Sequence, residues 1–389
     1  MMTKVHSHEQ YVSIYRFLKR VAGRPLCRLL GFSSACYALP QTPALIVSNH
    51  NADFDPVFVA MAFQEHMYFV ASEHVFRWGL VSRLLVGLFG PIARRKGMAD
   101  AQSAMQILRV LRKGHNVCLF AEGNRSFSGV TGPVFPATGK LARASRAALV
   151  TYHIKGGYLC TPRWALTRRH GRMEGELVHV YSPEELRGMT DEEVNAAIAA
   201  DLYEDAYDRQ REEMRPYPGR RLAEGLEYAL YLCPRCGGIG SLHGKGDRFT
   251  CTCGLDVRYN VFGFFEGEDT PFSTVRDWDA WQEAETARLA ARAVAQPEKP
   301  VFSDEGQRLL RIEEGHRAVE IASGRLTMTG AALTVGDVSF PLDAVADMAL
   351  CGRAHIVFTV AGEQYEIRSR LACCGRKYVV LLQKRKELR

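Results

Sequence analysis

Short apolar runs alternate with stretches of helical period from Ala44 to about Val180, and no other feature constrains the fold as strongly. Candidate strands fall at 44–48, 67–71, 91–94, 117–120, 148–153 and 176–181, with helices at 56–64, 75–89, 101–113 and 140–146 between them. Parallel neighbours need a crossover of roughly a dozen residues, and helices of about ten supply it. The pattern predicts an α/β fold with a mainly parallel sheet flanked by helices. Ligands of such sheets gather where the chain leaves the carboxyl ends of the strands.

The first of those exits is His50-Asn51-Ala52-Asp53-Phe54-Asp55, directly after the apolar run Ala44 to Ser48. On a regular helix residues five apart point away from each other, so His50 and Asp55 meet only if the chain turns between them. Asp55-Pro56 reads as the N-cap and first residue of a helix, which provides such a turn. An aspartate that fixes the tautomer of a histidine leaves the other ring nitrogen free to take a proton. A substrate that brings its own hydroxyl would then need no protein nucleophile. Taken alone, the hexapeptide reads first as a helix cap beside a hydrogen-bonded histidine at a strand end.

Two further exits carry cations. Phe120-Ala121-Glu122-Gly123-Asn124-Arg125-Ser126 joins a carboxylate, a glycine that permits a tight turn, and a guanidinium suited to phosphate. Gly90-Pro91-Ile92-Ala93-Arg94-Arg95-Lys96-Gly97 sets three consecutive cations after a short strand. Each is by itself a solvated loop; three on one predicted sheet edge form a candidate site. Thr138-Gly139-Lys140 is not a phosphate-binding loop, because Val134 stands at the required glycine and Leu141 at the required Ser or Thr.

In these ordered blocks residues 40–180 resemble the glycerolipid acyltransferase family of the 1-acylglycerol-3-phosphate acyltransferase type. Asn49-His50 through Asp55 is similar to the family's Asn-His-x4-Asp block, Gly90 to Arg95 to its glycine-to-arginine block, and Phe120 to Ser126 to its Phe-Pro-Glu-Gly-Thr-Arg-Ser block. Ala121 and Asn124 stand where that family has proline and threonine, and 149–153 lacks the proline of the fourth block. The resemblance implies transfer of an acyl group from acyl-CoA or acyl-carrier protein to the hydroxyl of a lysophospholipid, most simply 1-acylglycerol-3-phosphate to give phosphatidate. His50 would be the general base and Asp55 its orienter. Arg125 and either Arg94 or Arg95, with Arg95 preferred, would hold phosphate. Glu122 would order the glycerol end, and Gly123, Asn124 and Ser126 complete that substrate-binding loop. The departures keep open a lipid-binding or regulatory protein built on the same scaffold.

Pro216-Tyr217-Pro218-Gly219 breaks the α/β pattern, so the acyltransferase domain is expected to span 1–215. Cys233, Cys236, Cys251 and Cys253 form two knuckles separated by a fourteen-residue hairpin, the spacing of a zinc ribbon over 228–262. Four thiolates suit a structural zinc and leave no open position. The loop has few cations, which argues against nucleic acid. A linking helix is expected at 273–296. Strands separated by glycines then fill 301–389 before a last helix, an element order similar to pleckstrin-homology-like domains.

Composition narrows the setting. The 47% apolar and 24% charged content is that of a globular protein, and a net charge of +7 suits anionic partners. The most apolar stretch, 75–92, is interrupted by Arg77 and Arg83, so no transmembrane span is expected. No secretory signal is visible, and eleven cysteines without one argue against a disulfide framework. Residues 9–24 form an amphipathic helix, with Tyr11, Ile14, Tyr15, Phe17, Leu18 and Val21 on one face and Arg16, Lys19, Arg20 and Arg24 on the other. Pro25 is expected to end or kink it. Such a helix lies on a membrane or packs on its own domain. The expected location is cytoplasmic, peripherally on the cytoplasmic face of a membrane.

Overall fold

The computed structural model describes residues 6–72, 80–94, 101–268, 270–313, 317–371 and 373–388. They form two compact units. The first holds the described residues up to 94 together with 101–163 and 168–218; the second holds 164–167 and the described residues from 219 on.

The first unit opens with helices α1 (His8–Leu18) and α2 (Arg24–Leu30), strand β1 (Phe32–Ser34) and strand β2 (Ala44–Ser48). Helix α3 (Asp55–Ala62), β3 (Met67–Ser72), α4 (Leu80–Phe89), β4 (Ile92–Arg94), α5 (Ala101–Arg112) and β5 (Asn116–Phe120) follow. Next come α6 (Ala137–Ser145), β6 (Ala148–Lys155), α7 (Gly157–Cys160) and β7 (Met173–Tyr181). Helices α8 (Pro183–Gly188), α9 (Asp191–Leu202) and α10 (Ala206–Glu213) close the unit.

Its seven strands lie in the order β1-β7-β6-β2-β5-β3-β4. Every pairing is parallel except β6 with β7. All five residues of β2 are buried, as a central strand covered on both faces requires. Ser48 pairs with Phe120 on one side and Tyr152 on the other. The loops after β2 and β5 therefore leave the sheet side by side, and the parallel β4 delivers Arg94 to the same edge. Three-residue β1 carries too little apolar signal to be read from sequence; pairing with β7 draws that strand back to Met173.

The amino-terminal helix differs from expectation. It does not stop at Pro25: a five-residue π-turn, Lys19–Gly23, joins α1 to α2, with Pro25 in the first turn of α2. Proline lacks an N–H and crowds the preceding turn, and a wider turn relieves that crowding. Tyr11 and Tyr15 are buried, but Phe17 and Val21 are 64% and 58% exposed. At 3.6 residues per turn, Phe17 lies about 120° from Tyr11, too far to share its face.

The second unit carries an antiparallel sheet of β8 (Leu242–Lys245), β9 (Arg248–Cys251), β10 (Asp256–Tyr259) and β11 (Phe265–Glu266). Helix α11 (Val275–Ala295) begins at Thr274, whose hydroxyl accepts from the Asp277 N–H at 3.0 Å. Seven antiparallel strands follow: β12 (Phe302–Ile312), β13 (Ala318–Met328), β14 (Ala332–Val335), β15 (Val338–Pro341), β16 (Val345–Cys351), β17 (His355–Val360) and β18 (Glu363–Ser369). Their order is β15-β14-β13-β12-β18-β17-β16. Helix α12 (Arg376–Glu387) packs back on α11, where Arg376 pairs with Asp279 and with Glu283, the latter at 2.7 Å.

Candidate active site

Helix α3 starts at Asp55 itself, not after it, and Pro56 fills its second position. The Asp55 carboxylate consequently turns back over the loop instead of capping the helix. Its Oδ2 accepts the N–H groups of Asn51 at 2.7 Å and Ala52 at 2.8 Å. The same oxygen lies 2.8 Å from His50 Nδ1. A carboxylate already taking two amide donors dictates that Nδ1 carries its proton toward Asp55, leaving Nε2 as the acceptor. Asp55 is buried, whereas the His50 side chain is 23% exposed and its ring stacks on Phe120 at 4.4 Å. One end of the imidazole is thus fixed in the protein, and the ring as a whole remains partly exposed.

Glu122 reaches this loop from β5. Its Oε1 accepts the His50 N–H at 2.8 Å and its Oε2 accepts the Gly132 N–H at 2.6 Å. Burial pushes the carboxyl up to about 8; Asp55 and Glu204 act in the same direction, against the pull of the two N–H groups. The folded protein therefore holds this proton to higher pH than the unfolded chain, where the group titrates near its ordinary 4.5. Stability from Glu122 is greatest below that value and declines as pH rises toward about 8. The melting temperature of wild type relative to Glu122→Gln is expected to fall between about pH 5 and about pH 8. A difference that stays constant across that range would contradict this account.

The remainder of the loop gathers cations. Gly123 has φ +67°, and a Cβ there would stand 2.2 Å from the Phe135 ring, so glycine is required. The Arg94 guanidinium lies over the same ring at 4.3 Å. Arg125 pairs with Asp53 at 2.9 Å and donates to the Thr161 carbonyl at 3.0 Å. Asn124 is half-buried beside it, and the Ser126 hydroxyl accepts from the Gly129 N–H at 2.9 Å. Arg95 lies outside the described residues. His50, Asp55, Glu122, Gly123, Arg94 and Arg125 thus converge on one sheet edge, although Glu122 bonds backbone and Arg125 is already partnered.

Sequence reasoning missed the layer beneath. Asn49 exchanges two 2.8 Å hydrogen bonds with the backbone of Ile154, tying the loop to β6. Asn51 Nδ2 donates to Ile154 O at 3.2 Å and to Glu204 Oε2. Glu204 is buried, also accepts from the Gly156 N–H at 3.0 Å, and is paired with Arg209. The only sequence signal was a pair of acids, Glu204-Asp205, set between two otherwise helical stretches.

In the second unit the four cysteine sulfurs lie within 4.8 Å of one another. Cys233 and Cys253 are 3.8 Å apart, as are Cys236 and Cys251. A tetrahedron of thiolates with metal–sulfur bonds of about 2.3 Å has edges of about 3.8 Å, so the donor set fits one ion. Gly254, at φ +92°, closes the shorter second knuckle by donating to Cys251 O at 3.0 Å.

Residues 33–155 match the family model described as Acyltransferase. The chain carries an acyltransferase domain. The matched span runs from β1 to the end of β6 and includes His50, Asp55, Arg94, Glu122 and Arg125. The chain is also similar to the solved 1-acyl-sn-glycerophosphate (LPA) acyltransferase PlsC from Thermotoga maritima. That likeness is 15% in identity with a TM-score of 0.41, covering 52% of this chain and 80% of that one. No curated protein matches its sequence. Among the described residues no helix is long and apolar enough to cross a membrane.

Proposed function

We propose that the first unit transfers an acyl group from an acyl thioester, of coenzyme A or acyl-carrier protein, to the free hydroxyl of a lysophospholipid. The preferred acceptor is 1-acylglycerol-3-phosphate, giving phosphatidate. The observation that carries this reading is the 2.8 Å bond from His50 Nδ1 to a buried Asp55, on a ring that is itself partly exposed. His50 Nε2 takes the hydroxyl proton as the oxygen attacks the thioester carbonyl. The tetrahedral oxyanion collapses, the C–S bond breaks, and the thiolate recovers the proton from the imidazolium. Asp55 stabilises that cation between the two steps. Arg125 and Arg94, with Arg95 beside it in sequence, supply charge for the acceptor phosphate, which would replace Asp53 as a partner of Arg125.

A membrane surface is the source of such an acceptor. Arg16, Arg20, Arg24 and Arg28 are all exposed along the helical run from α1 to α2. Phe17, Val21 and Leu29 form an adjoining stripe, with Leu29 70% exposed. Neighbouring cationic and apolar stripes suit an anionic bilayer. The four cysteines hold a structural zinc in a ribbon-like module, and the seven-stranded sheet with its closing helix is a pleckstrin-homology-like domain.

The test presents lysophospholipids of several headgroups in anionic vesicles, with acyl-CoA or acyl-carrier-protein donors, and identifies products by mass spectrometry. Diacyl product from lysophosphatidate is expected. Tight vesicle binding with no turnover for any pair would instead favour a lipid-binding protein on this scaffold.

A further inference from the structure

The buried Glu204 lies outside the matched acyltransferase span, yet it meets the His50–Asp55 loop from two directions. Its Oε2 receives the Asn51 side chain, and the Asn51 backbone N–H is one of the two amides on Asp55 Oδ2. Its main chain is locked to Thr131: the Glu204 N–H donates to Thr131 Oγ1 at 2.8 Å, and the Thr131 N–H donates to Glu204 O at 2.9 Å. The next residue, Gly132, donates to Glu122 Oε2, and the other oxygen of Glu122 holds the His50 N–H. One residue between α9 and α10 therefore closes a ring that fixes both ends of the base: Asp55 through Asn51, and the His50 backbone through Thr131, Gly132 and Glu122.

Chemistry explains why a carboxylate is needed there. Glu204 Oε1 serves the Gly156 N–H and Arg209 while Oε2 serves Asn51, so both oxygens act as acceptors. A carboxamide would present an NH2 group to one of those sets of donors, and one arm would break. Arg209 is the guanidinium paired with this acid, and it offsets the burial that pushes the Glu204 carboxyl upward. Asp55, Glu122 and Glu204 together place three buried carboxyl groups under one partly exposed imidazole.

We infer that Glu204, acting through Asn51, is a positioning residue for the His50–Asp55 base, supplied by the segment that follows the matched domain. This rests on the acyl-transfer reading, since it assigns His50 the proton transfer. Small misplacements at a reacting group cost about 10²-fold in rate. Asn51→Ala cuts the link while leaving the Glu204–Arg209 pair intact; Glu204→Gln turns a donor toward one of its partners.

The full-length chain is assayed with lysophosphatidate and acyl-CoA in vesicles, with activity normalised to folded protein. Both variants are expected to lower kcat about 10- to 100-fold, with KM within about threefold of wild type. The double variant should be no slower than the worse single one, because both perturb the same ring of hydrogen bonds through Asn51 and Glu204. In parallel, NMR of nitrogen-labelled histidine follows the His50 Nδ1 proton, expected to shift or broaden in both variants. Wild-type kcat in folded Asn51→Ala protein would overturn the inference, as would a loss confined to thermal stability or to KM. Should wild type transfer no acyl group to any acceptor, the acyl-transfer reading fails. The NMR arm then decides alone, and an unchanged His50 signal in Asn51→Ala overturns the positioning role.

Discussion

Replacing His50 with alanine is expected to lower acyl transfer by about 10²–10⁴-fold while leaving the melting temperature close to that of wild type. General-base catalysis contributes about 10²–10⁴-fold, and Asp55 is held on Nδ1, across the ring from the Nε2 that would take the proton. The fold should survive because the ring is partly exposed and, among the described residues, its stacking partner is Phe120 alone. Asp55→Ala should match His50→Ala in activity but not in stability. Two buried N–H groups, of Asn51 and Ala52, lose their acceptor, at about 1–3 kcal/mol for each unsatisfied group. Asp55→Asn separates geometry from charge. Its amide oxygen can still take the three donors now on Oδ2, but the imidazolium loses its counter-charge, and kcat should fall about 10²–10⁴-fold. Initial rates with lysophosphatidate and acyl-CoA, beside thermal melts, check all three. Undiminished turnover in folded His50→Ala protein would remove His50 from the reaction.

The strands of the first unit were legible because central parallel strands must be apolar on both faces: Ala44–Ser48 matches its expected limits, and Asn116–Phe120 lies within one residue of them. The convergence of His50, Glu122 and Arg94 followed from that topology without any side-chain information. What the sequence concealed was contact across long separations. Asn51 and Glu204 stand 153 positions apart, and no local pattern links them. The turn of Asp55 back onto amides upstream was equally hidden, since an Asp-Pro pair reads the same whether the carboxylate caps forward or backward. Phe17 and Val21 do not share the buried face expected of them, because an apolar residue on a helix carries no label for which surface it serves. Tyr15 donates to Ala60 O and Phe63 O, which fixes the inner face and leaves Phe17 and Val21 exposed beside the arginine row.

Metal removal should have its largest effect on the second unit. Of the four candidate ligands, Cys236 and Cys253 are exposed, so the knuckles themselves contribute little apolar burial. Phe249 and Phe265 pack against Trp278 at 5.5 and 5.4 Å, which gives the adjoining sheet a small aromatic core of its own. Binding of a structural zinc to such thiolate sets is worth about 10–16 kcal/mol in apparent terms at neutral pH, comparable to the entire stability of a domain. The purified chain is expected to contain one zinc per molecule. A strong chelator, or Cys233→Ser, should lower the melting transition by more than about 10 °C and open the chain to proteolysis near the two knuckles. Four thiolates leave no position for a substrate, so cobalt substitution should preserve acyl transfer while adding thiolate-to-cobalt absorption. Cysteine-bound metal absent from the native protein, with an unchanged melt after chelation, would instead leave the aromatic core as the sole support of this module. Activity that tracked the identity of the metal would contradict a closed site, because a filled thiolate tetrahedron reaches the chemistry only through the fold it holds together.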